Sequence, residues 1–532
     1  MANKSLFKGR KGRKVAPANT TNKAGGAAYK LPSDAALAQM AATCTFAQTY
    51  YTSAEEQLDV MLKLAKQVNP EFVAKTAIFA RERGFMKDAP ALLTAVLAAG
   101  GDEGLRLFKK IFHRVIDNGR MLRTFCQILR SGVTGRKSFG TAIKREIQKW
   151  LDSKSAHYIF RASVGNDPSM ADIIKMVHPK AEGEKEALYG YLIGKHVGIT
   201  KLPPLVAQFE EFKGMKSGEY KGIVQVPEVP FQMLDSLGLT TEEWKQVFVT
   251  GGWHFTRMNI NTAARHGVLN DDVMISLIAK KLRDPEQVRK SRVFPYQLLM
   301  ASIASDAPAR IKKALNDAME IATENTPELP AGVAVCVDTS GSMGMSITGD
   351  RDYGHTGFGP SASSSMRCVD VAGLIAAVMV RKNPDTCVVP FDTRVHMVKF
   401  DPSDTIMTNA KKFSRNGGGT NCACAIKYLN DHKVKVPVVV MVSDYEAWAE
   451  RGYMPYSRGT GMAQEWATYK SRVPNAKLIA INLVSGVHTQ VQNSDDVYNI
   501  GGFSDQIFTL IADWVSGYDA DHWVQTIMKI DL

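Results

Sequence analysis

The spacing of apolar residues changes near residue 330, and this change constrains the fold more than any other feature of the sequence. Before it, apolar residues recur three and four positions apart over several turns, which predicts amphipathic helices. After it, short valine-rich runs alternate with helical segments, which predicts parallel strands joined by helices. The sequence Pro327-Glu-Leu-Pro330 marks the change. We therefore expect an all-α part followed by an α/β domain.

The all-α part is expected to be an array of packed helices. Long strings of amphipathic helices without strands are typical of helical-repeat proteins. They include the predicted helices Lys137–Asp152, Ser169–Val177 and Arg257–His266. In the α/β part we expect a mostly parallel sheet covered by helices. Its predicted strands are residues 332–338, 385–391, 395–400, 436–443, 477–484 and 495–499.

Positive charge is concentrated in the helical part. The net charge of +13 is made up of +15 in residues 1–330 and −2 in residues 331–532. A basic part joined to a near-neutral part indicates a polyanionic partner for the first and a different partner for the second. Charge alone does not distinguish RNA from DNA or an anionic membrane. Residues 1–30 carry eight lysines and arginines and no acidic residue, which predicts a basic flexible arm.

Cysteine usage and hydropathy favour a cytoplasmic protein. The seven cysteines are an odd number and are scattered along the chain, unlike a disulfide framework. Cys422 and Cys424 lack a second pair at zinc spacing, so we expect them to be helix residues. No apolar run is long enough to cross a membrane, and the N-terminus lacks the apolar core of a secretion signal. We therefore expect no membrane association.

Five residues with hard oxygen atoms predict a metal site in the α/β domain. Asp338, Ser340 and Ser342 follow one valine-rich run, Asp444 follows another, and Thr420 lies in a glycine-rich loop. Because parallel strands end at the same edge of a sheet, we expect these side chains to meet there. Carboxylates and hydroxyls suit a divalent cation, most simply Mg²⁺, with Mn²⁺ and Ca²⁺ as alternatives. Taken alone, Asp338 is equally compatible with helix capping.

This set resembles the metal-ion-dependent adhesion site of von Willebrand factor A domains. The resemblance implies that the five residues hold a metal whose open position accepts an acidic group from a partner. It also implies binding rather than catalysis. Residues 343–365 form an insertion that departs from the family pattern, in which the helix follows the metal loop almost directly. A hydrolytic site with Asp392 or Glu446 as general base is the alternative from the enzyme class.

Several segments of the helical part resemble the TROVE module of the Ro autoantigen family in its bacterial form. They include Arg81-Glu-Arg-Gly84, Lys87-Asp-Ala-Pro90, Gly135–Arg145 and Ser169–Lys180. With the adhesion-type domain after it, the resemblance covers nearly the whole chain. It divides the chain into a basic flexible arm (1–30), a TROVE helical-repeat domain (31–328) and a von Willebrand factor A domain (329–532).

The resemblance also implies a function. Ro proteins form a ring of HEAT-like helices that the von Willebrand domain closes. They bind small noncoding Y RNAs on the outer surface and single-stranded ends of misfolded or structured RNAs in the central hole. Bacterial members can tether an exoribonuclease through the RNA. We therefore expect a monomeric, noncatalytic ribonucleoprotein scaffold. The alternative is a metal-dependent protein–protein adaptor without a specific RNA ligand.

The expected RNA-binding residues are basic side chains of the helical part. Two pairs, 120/123 and 137/144, are spaced to share a helix face, and residues 257 and 265 fall on one polar stripe. By resemblance, residues 178 and 180 lie where the family contacts RNA. A solvated basic surface or a locally bonded histidine is the alternative explanation. The complete set is Arg120, Arg123, Arg136, Lys137, Lys144, Arg145, His178, Lys180, Arg257 and Arg265.

Overall fold

The computed structural model covers most of the chain. It describes residues 15–219, 225–291, 293, 295–303, 307–324, 326, 328–329, 332–347, 366–413, 417–450, 453, 459–484, 486–502, 506–515 and 523–532. Residues 1–14 of the predicted arm and residues 348–365 of the predicted insertion lie outside the described residues.

The chain forms two compact units. One, called the sheet unit below, consists of Met1–Leu64, Phe294–Met300 and Thr323–Lys529. The other, the helical unit, consists of Ala65–Val293, Ala301–Ala322 and Ile530–Leu532. By their contacts, residues 15–64 group with the α/β part. The predicted domain boundaries at residues 30 and 328 stay predictions.

The part of the chain before the parallel sheet is helical, as predicted. In chain order its α-helices are α1 (Ser33–Thr43), α2 (Ala54–Gln67), α3 (Pro70–Glu82), α4 (Asp88–Ala99), α5 (Gly101–Val115), α6 (Gly119–Ser131), α7 (Thr141–Asp152), α8 (Ala156–Ala162), α9 (Met170–Val177), α10 (Glu184–Leu192), α11 (Pro204–Ser217), α12 (Phe231–Leu234), α13 (Thr241–Thr250), α14 (Trp253–Met258), α15 (Ile260–Arg265), α16 (Asp272–Leu282), α17 (Pro285–Ser291), α18 (Pro295–Ile303) and α19 (Ala309–Thr323).

Helix α6 shows why these segments are helices. The Asn118 side chain caps its first turn by accepting the N–H of Met121, and Gly132 ends it with a φ of 80°. Its apolar face is buried, and Phe125 stacks on Phe108 of α5 with ring centroids 5.7 Å apart. Helices pack on near neighbours along the chain, α3 on α4 and α5, α5 on α7, and α7 on α9. The predicted helical array is confirmed.

Two predicted helices have different bounds. The helix predicted to start at Lys137 begins at Thr141, because Gly135 has a φ of 87° and Gly140 is the N-cap residue. The helix predicted over residues 257–266 is interrupted at Asn259, whose φ of −113° and ψ of 23° are not helical. The polar stripe predicted along that helix is therefore wrong.

The sheet unit contains a five-stranded parallel sheet. Its strands are β3 (Val333–Asp338), β4 (Cys387–Phe391), β5 (Val438–Ser443), β6 (Lys477–Asn482) and β8 (Val497–Gly501). They lie in the order β4-β3-β5-β6-β8. The helices between and after them are α20 (Cys368–Lys382), α21 (Ile406–Lys411), α22 (Cys422–Asp431), α23 (Gly461–Arg472), α24 (Gln506–Val515) and α25 (Trp523–Met528). The predicted α/β domain is confirmed, and Cys422 and Cys424 lie in a helix.

One predicted strand is wrong. Residues 395–400 form only an isolated bridge between Val395 and Phe391. Phe400 instead packs on Phe413, with ring centroids 5.1 Å apart. Its apolar side chain is therefore partly buried without strand pairing.

The N-terminal residues of the sheet unit form a second, antiparallel sheet. Strand β1 (Thr20–Thr21) pairs with β2 (Ala27–Lys30), and β2 pairs with β7 (His488–Thr489). Tyr29 is buried in the same core cluster as the parallel sheet. This corrects the predicted flexible arm over residues 15–30. Within the described parts of the chain, no helix has both the length and the apolar character needed to span a bilayer.

Candidate metal site and RNA-binding residues

The five predicted metal ligands meet at one edge of the parallel sheet. Asp338 ends β3, and Ser340 and Ser342 follow in a loop with a short 3-10 turn, Gly341–Gly344. Asp444 directly follows β5, which pairs with β3 so that Val337 lies opposite Val442. All five side chains are buried, and Asp338 and Asp444 have exposed fractions of 0% and 2%.

Backbone hydrogen bonds hold the loop of Thr420 against the other two loops. The N–H of Gly341 donates to the Gly418 carbonyl at 3.0 Å, and the N–H of Ala449 donates to the Thr420 carbonyl at 3.0 Å. Gly418 has a φ of 77°, and a Cβ there would lie 2.9 Å from Oδ2 of Asp392. Glycine is therefore required at position 418 for the loop to approach this closely.

The two carboxylates are unequally hydrogen-bonded. Oδ1 of Asp338 accepts the backbone N–H of Ser340 at 2.8 Å, and Oδ2 accepts the Ser443 hydroxyl at 2.6 Å. Oδ1 of Asp444 accepts the N–H of Glu446 at 3.1 Å. Oδ2 of Asp444 is buried and has no hydrogen-bond partner among the described residues. One buried carboxylate oxygen thus keeps its lone pairs for another ligand.

Burial makes the negative charge of this site costly. It raises the pKa of Asp338 to about 6. Burial, followed by the charge of Asp338, raises the pKa of Asp444 to about 7. Two buried carboxylates that disfavour each other's ionisation would both be stabilised by a nearby cation.

The donor set fits a hard divalent cation. Two carboxylates and three hydroxyls supply only oxygen atoms, and Mg²⁺ uses few carboxylates and retains water. Among the described residues, no group of three or more His, Cys, Asp or Glu side chains is arranged to hold a metal. A cation at this site would therefore depend on the hydroxyls of Ser340, Ser342 and Thr420.

The two residues considered as general bases are engaged elsewhere. Asp392 pairs with His396 at 2.9 Å and accepts the N–H of Arg394. Burial raises its pKa, but these bonds outweigh burial and lower the pKa overall. Glu446 pairs with His488 at 3.2 Å and accepts the N–H of Ala24. Both carboxylates have binding partners in the fold, which weakens the case for hydrolysis.

Three residues near the site were missed by sequence reasoning. The Tyr51 phenol lies beside Ser342 and Asp444, which both act on its pKa. The Asn22 side chain donates to the Ala447 carbonyl at 2.7 Å. His488 is buried against Glu446. No local pattern could have found the first two, because they lie hundreds of positions before the residues that they approach.

The predicted RNA-binding residues fall into two groups in the helical unit. One group is exposed and makes no hydrogen bond or ion pair through its side chain within the described residues. The members of this group are Arg120, Lys137, Arg145, His178, Lys180 and Arg265. The other group, Arg123, Arg136, Lys144 and Arg257, is partly buried. The first group is therefore more accessible to a polyanion.

Arg123 and Arg136 stabilise the fold directly. The Arg123 guanidinium donates to the carbonyls of Ala162, at 2.9 Å, and Val164. Arg136 donates to the carbonyls of Ser138, at 2.9 Å, and Ala98, at 3.2 Å. These bonds tie loops and helices of the unit together. A substitution at either position would therefore perturb structure as well as charge.

The structure brings part of the predicted RNA-binding set together. Gln148 of α7 donates to the carbonyls of Val177, at 2.6 Å, and His178, at 3.3 Å. Lys144 lies one turn before Gln148 on the same helix, so the two side chains share one face of α7. Lys137 lies in the loop before α7 and does not share a helix with Lys144. Arg257 and Arg265 likewise lie in different helices, α14 and α15.

The comparisons with known proteins agree with this architecture. Residues 333–515 match the family model described as the Ro60 vWA domain. A protein of Deinococcus radiodurans named "RNA-binding protein RO60" is 25% identical over 251 residues, which are 44% of this chain and 44% of that relative. A Caenorhabditis elegans protein of the same name is 21% identical over 261 residues, 46% of this chain and 38% of that relative. The chain thus matches less than half the length of these two relatives. The chain is similar to proteins of the Ro family.

A solved Ro structure supports the fold of both parts. The crystal structure of the Deinococcus radiodurans RO (RSR) protein covers 91% of this chain and 100% of its own, with a TM-score of 0.60 and 16% identity. The part that matches the Ro-type von Willebrand domain carries the five predicted oxygen ligands, and the helical unit carries the exposed basic residues. The predicted resemblance to the Ro family is confirmed.

Proposed function

We propose that this protein binds RNA through its helical part and acts as a noncatalytic, cytoplasmic ribonucleoprotein scaffold. The observation that carries the proposal is the concentration of positive charge before residue 330 in a chain related to proteins named for RNA binding. The exposed side chains of Arg120, Lys137 and Arg145 supply cationic groups that have no other partner within the described residues. Such groups attract phosphates at little structural cost.

Two kinds of RNA are assigned to two sets of residues. We assign small Y-type RNA, or another structured RNA, to an outer surface that includes Arg120, Lys137, Lys144 and Arg145. We assign the single-stranded ends of misfolded RNA to His178 and Lys180, which by family resemblance would contact RNA in or near a central hole. An exposed histidine can stack on a base or bond to a phosphate, as single-stranded RNA requires. A ribonuclease tethered through the bound RNA completes the proposed quality-control role of the monomeric protein.

The von Willebrand domain is proposed to hold Mg²⁺, with Mn²⁺ or Ca²⁺ able to replace it. The cation would supply an open coordination position for an acidic group of a protein partner. Asp444 offers its free Oδ2, while Asp338 is oriented by Ser340 and Ser443. The three hydroxyls complete the set without adding negative charge. This site also favours the second candidate function, a metal-dependent adaptor that does not bind a specific RNA.

Recovery of RNA with the purified protein tests the choice between these functions. The protein is isolated at low salt, its RNA is sequenced, and a recovered structured RNA is titrated at several KCl concentrations. The proposal predicts enrichment of small noncoding RNA and an affinity that falls steeply as salt rises. Absence of binding to any transcript at low salt would leave only the adaptor function.

A further inference from the structure

The N-terminal segment of the sheet unit reaches two loops of the candidate cation site. At the first loop, the N–H of Tyr50 donates to Sδ of Met345 at 3.4 Å, directly after the 3-10 turn that carries Ser342. Tyr51 follows, half-buried beside Ser342 and Asp444. Tyr51 therefore brings a phenol hydroxyl to the site.

At the second loop, the same segment is bonded to the residues after Asp444. Nδ2 of Asn22 donates to the Ala447 carbonyl at 2.7 Å, and Oδ1 of Asn22 accepts the N–H of Gly26 at 2.7 Å. The N–H of Ala24 donates to Oε2 of Glu446 at 3.0 Å. A Cβ at Gly26 would collide with the Ala447 carbonyl oxygen, so only glycine permits this approach. The turn Asn22–Gly26 thus fixes the backbone that carries Asp444.

We propose that Asn22 and Tyr51 are positioning residues of the cation site, which the N-terminal segment completes. This inference rests on the proposed cation site. Asn22 holds the loop after Asp444, and Tyr51 holds the loop of Ser342, so the segment sets the distance between ligands from two loops. Cation binding and attachment of the segment consequently stabilise each other, because the coupling between two such events is reciprocal.

The affinity for Mn²⁺, measured from the electron paramagnetic resonance of the free ion, tests the proposal in the full chain. Asn22→Ala and Tyr51→Phe should each weaken binding about tenfold, as loss of residues that orient metal ligands commonly does. Asn19→Ala and Tyr50→Phe are the matched controls. Asn19 accepts the N–H of Lys30 within the same strand pair, and Tyr50 is 63% exposed beside Tyr51. Both controls should bind Mn²⁺ within twofold of the wild type.

Hydrogen exchange of the wild-type protein provides a readout that needs no variant. Added Mn²⁺ should slow exchange in residues 20–30 about tenfold and leave helix α6 unchanged. If the wild type binds no Mn²⁺, the cation site itself is absent. If the wild type binds Mn²⁺ but neither the two variants nor exchange in residues 20–30 responds, the site exists and this inference is overturned. A loss of affinity in Tyr51→Ala but not in Tyr51→Phe would also contradict the role of the hydroxyl.

Discussion

The helical unit and the sheet unit use their charged residues in opposite ways. In the helical unit, Arg120, Lys137 and Arg145 are basic and exposed, whereas in the sheet unit the key charges are the buried carboxylates Asp338 and Asp444. Exposed charges cost little to keep, act over about 10 Å and are weakened by salt. Buried charges are costly and need partners at defined positions. The contrast indicates a salt-sensitive, tolerant surface in one unit and a geometrically strict site in the other.

The largest effect is expected from reversing the charge of the helical surface. Combined substitution of Arg120, Lys137, Lys144 and Arg145 by Glu should weaken structured-RNA binding about 1,000-fold, or about 4 kcal/mol, through lost phosphate contacts and new repulsion. Helix α7 should persist, because negative charge in its first turn is favourable. Filter binding at physiological salt measures the change.

Three exposed lysines of the sheet unit serve as the control for this experiment. Substitution of Lys399, Lys411 and Lys435 by Glu changes the net charge by a similar amount and should alter RNA affinity by less than about fivefold. Equal losses of RNA affinity in the helical-unit and sheet-unit variants would show that overall charge, and not the helical unit, governs binding.

The next largest effect concerns the geometry of the sheet unit. Gly418→Ala places a Cβ against Asp392 at a residue with positive φ, so it should weaken Mn²⁺ binding at least about tenfold and cost about 2–3 kcal/mol of stability. Gly417→Ala is the matched control, because no atom of the described residues lies within 4 Å of its Cβ position. Titration with Mn²⁺ and urea unfolding report the two effects. Equal Mn²⁺ affinity and equal stability of the two variants would contradict a cation site that depends on strict geometry.

A smaller, pH-dependent effect is expected at Glu450. Its carboxylate accepts the N–H groups of Ala423, at 3.2 Å, and Gly461, at 2.7 Å, yet burial raises its pKa to about 7 from an ordinary 4.5. Between these pH values the folded state keeps a proton that the unfolded state has lost. Stability contributed by this group is therefore lost as pH rises from about 4.5 through 7.

Glu450→Gln isolates this contribution, because glutamine does not ionise. The wild type should exceed the variant in stability most at pH 5, and the gap should shrink by about 2 kcal/mol at pH 8. Urea unfolding of both proteins at the two pH values measures the gap. Parallel pH profiles would mean that Glu450 has an ordinary pKa.

The smallest effect is expected at a helix cap of the helical unit. Ser169 and Asp172 form a capping box at the start of α9. Ser169→Ala should destabilise the helical unit by about 1 kcal/mol and change Mn²⁺ affinity by less than about twofold. Hydrogen exchange in α9, compared with exchange in β5, separates the units. Faster hydrogen exchange in both α9 and β5 would show that the stabilities of the helical unit and the sheet unit are linked.

Local patterns in the sequence account for the elements and for the meeting of the five predicted oxygen ligands. Apolar spacing predicts helices such as α6, and the ends of β3 and β5 place Asp338 and Asp444 at one edge because parallel strands share direction. Residues that break a pattern are harder to recognise. Asn259 interrupts a segment with continuous helical periodicity, and Gly140 delays the start of α7.

Contacts between distant residues could not be predicted from the sequence. Asn22 bonds to a carbonyl 425 positions later, and Tyr51 approaches a loop at Ser342. Nothing in the composition of residues 15–30 distinguishes a flexible basic arm from a strand pair that buries Tyr29. Such pairings depend on the complete fold, because only folding brings the two ends of the chain together.

The central claim, that RNA binding belongs to the helical part and cation binding to the sheet unit, is tested most directly by one titration. The dissociation constant of a structured RNA is measured against KCl concentration, with Mn²⁺ present, for the wild type and for Asp444→Asn. The logarithm of the dissociation constant should rise equally steeply with the logarithm of KCl concentration in both proteins, and the two sets of constants should agree within about twofold. Asp444→Asn should nevertheless lose Mn²⁺ binding. A loss of RNA affinity in Asp444→Asn as large as that of the four-residue charge reversal would contradict the claim.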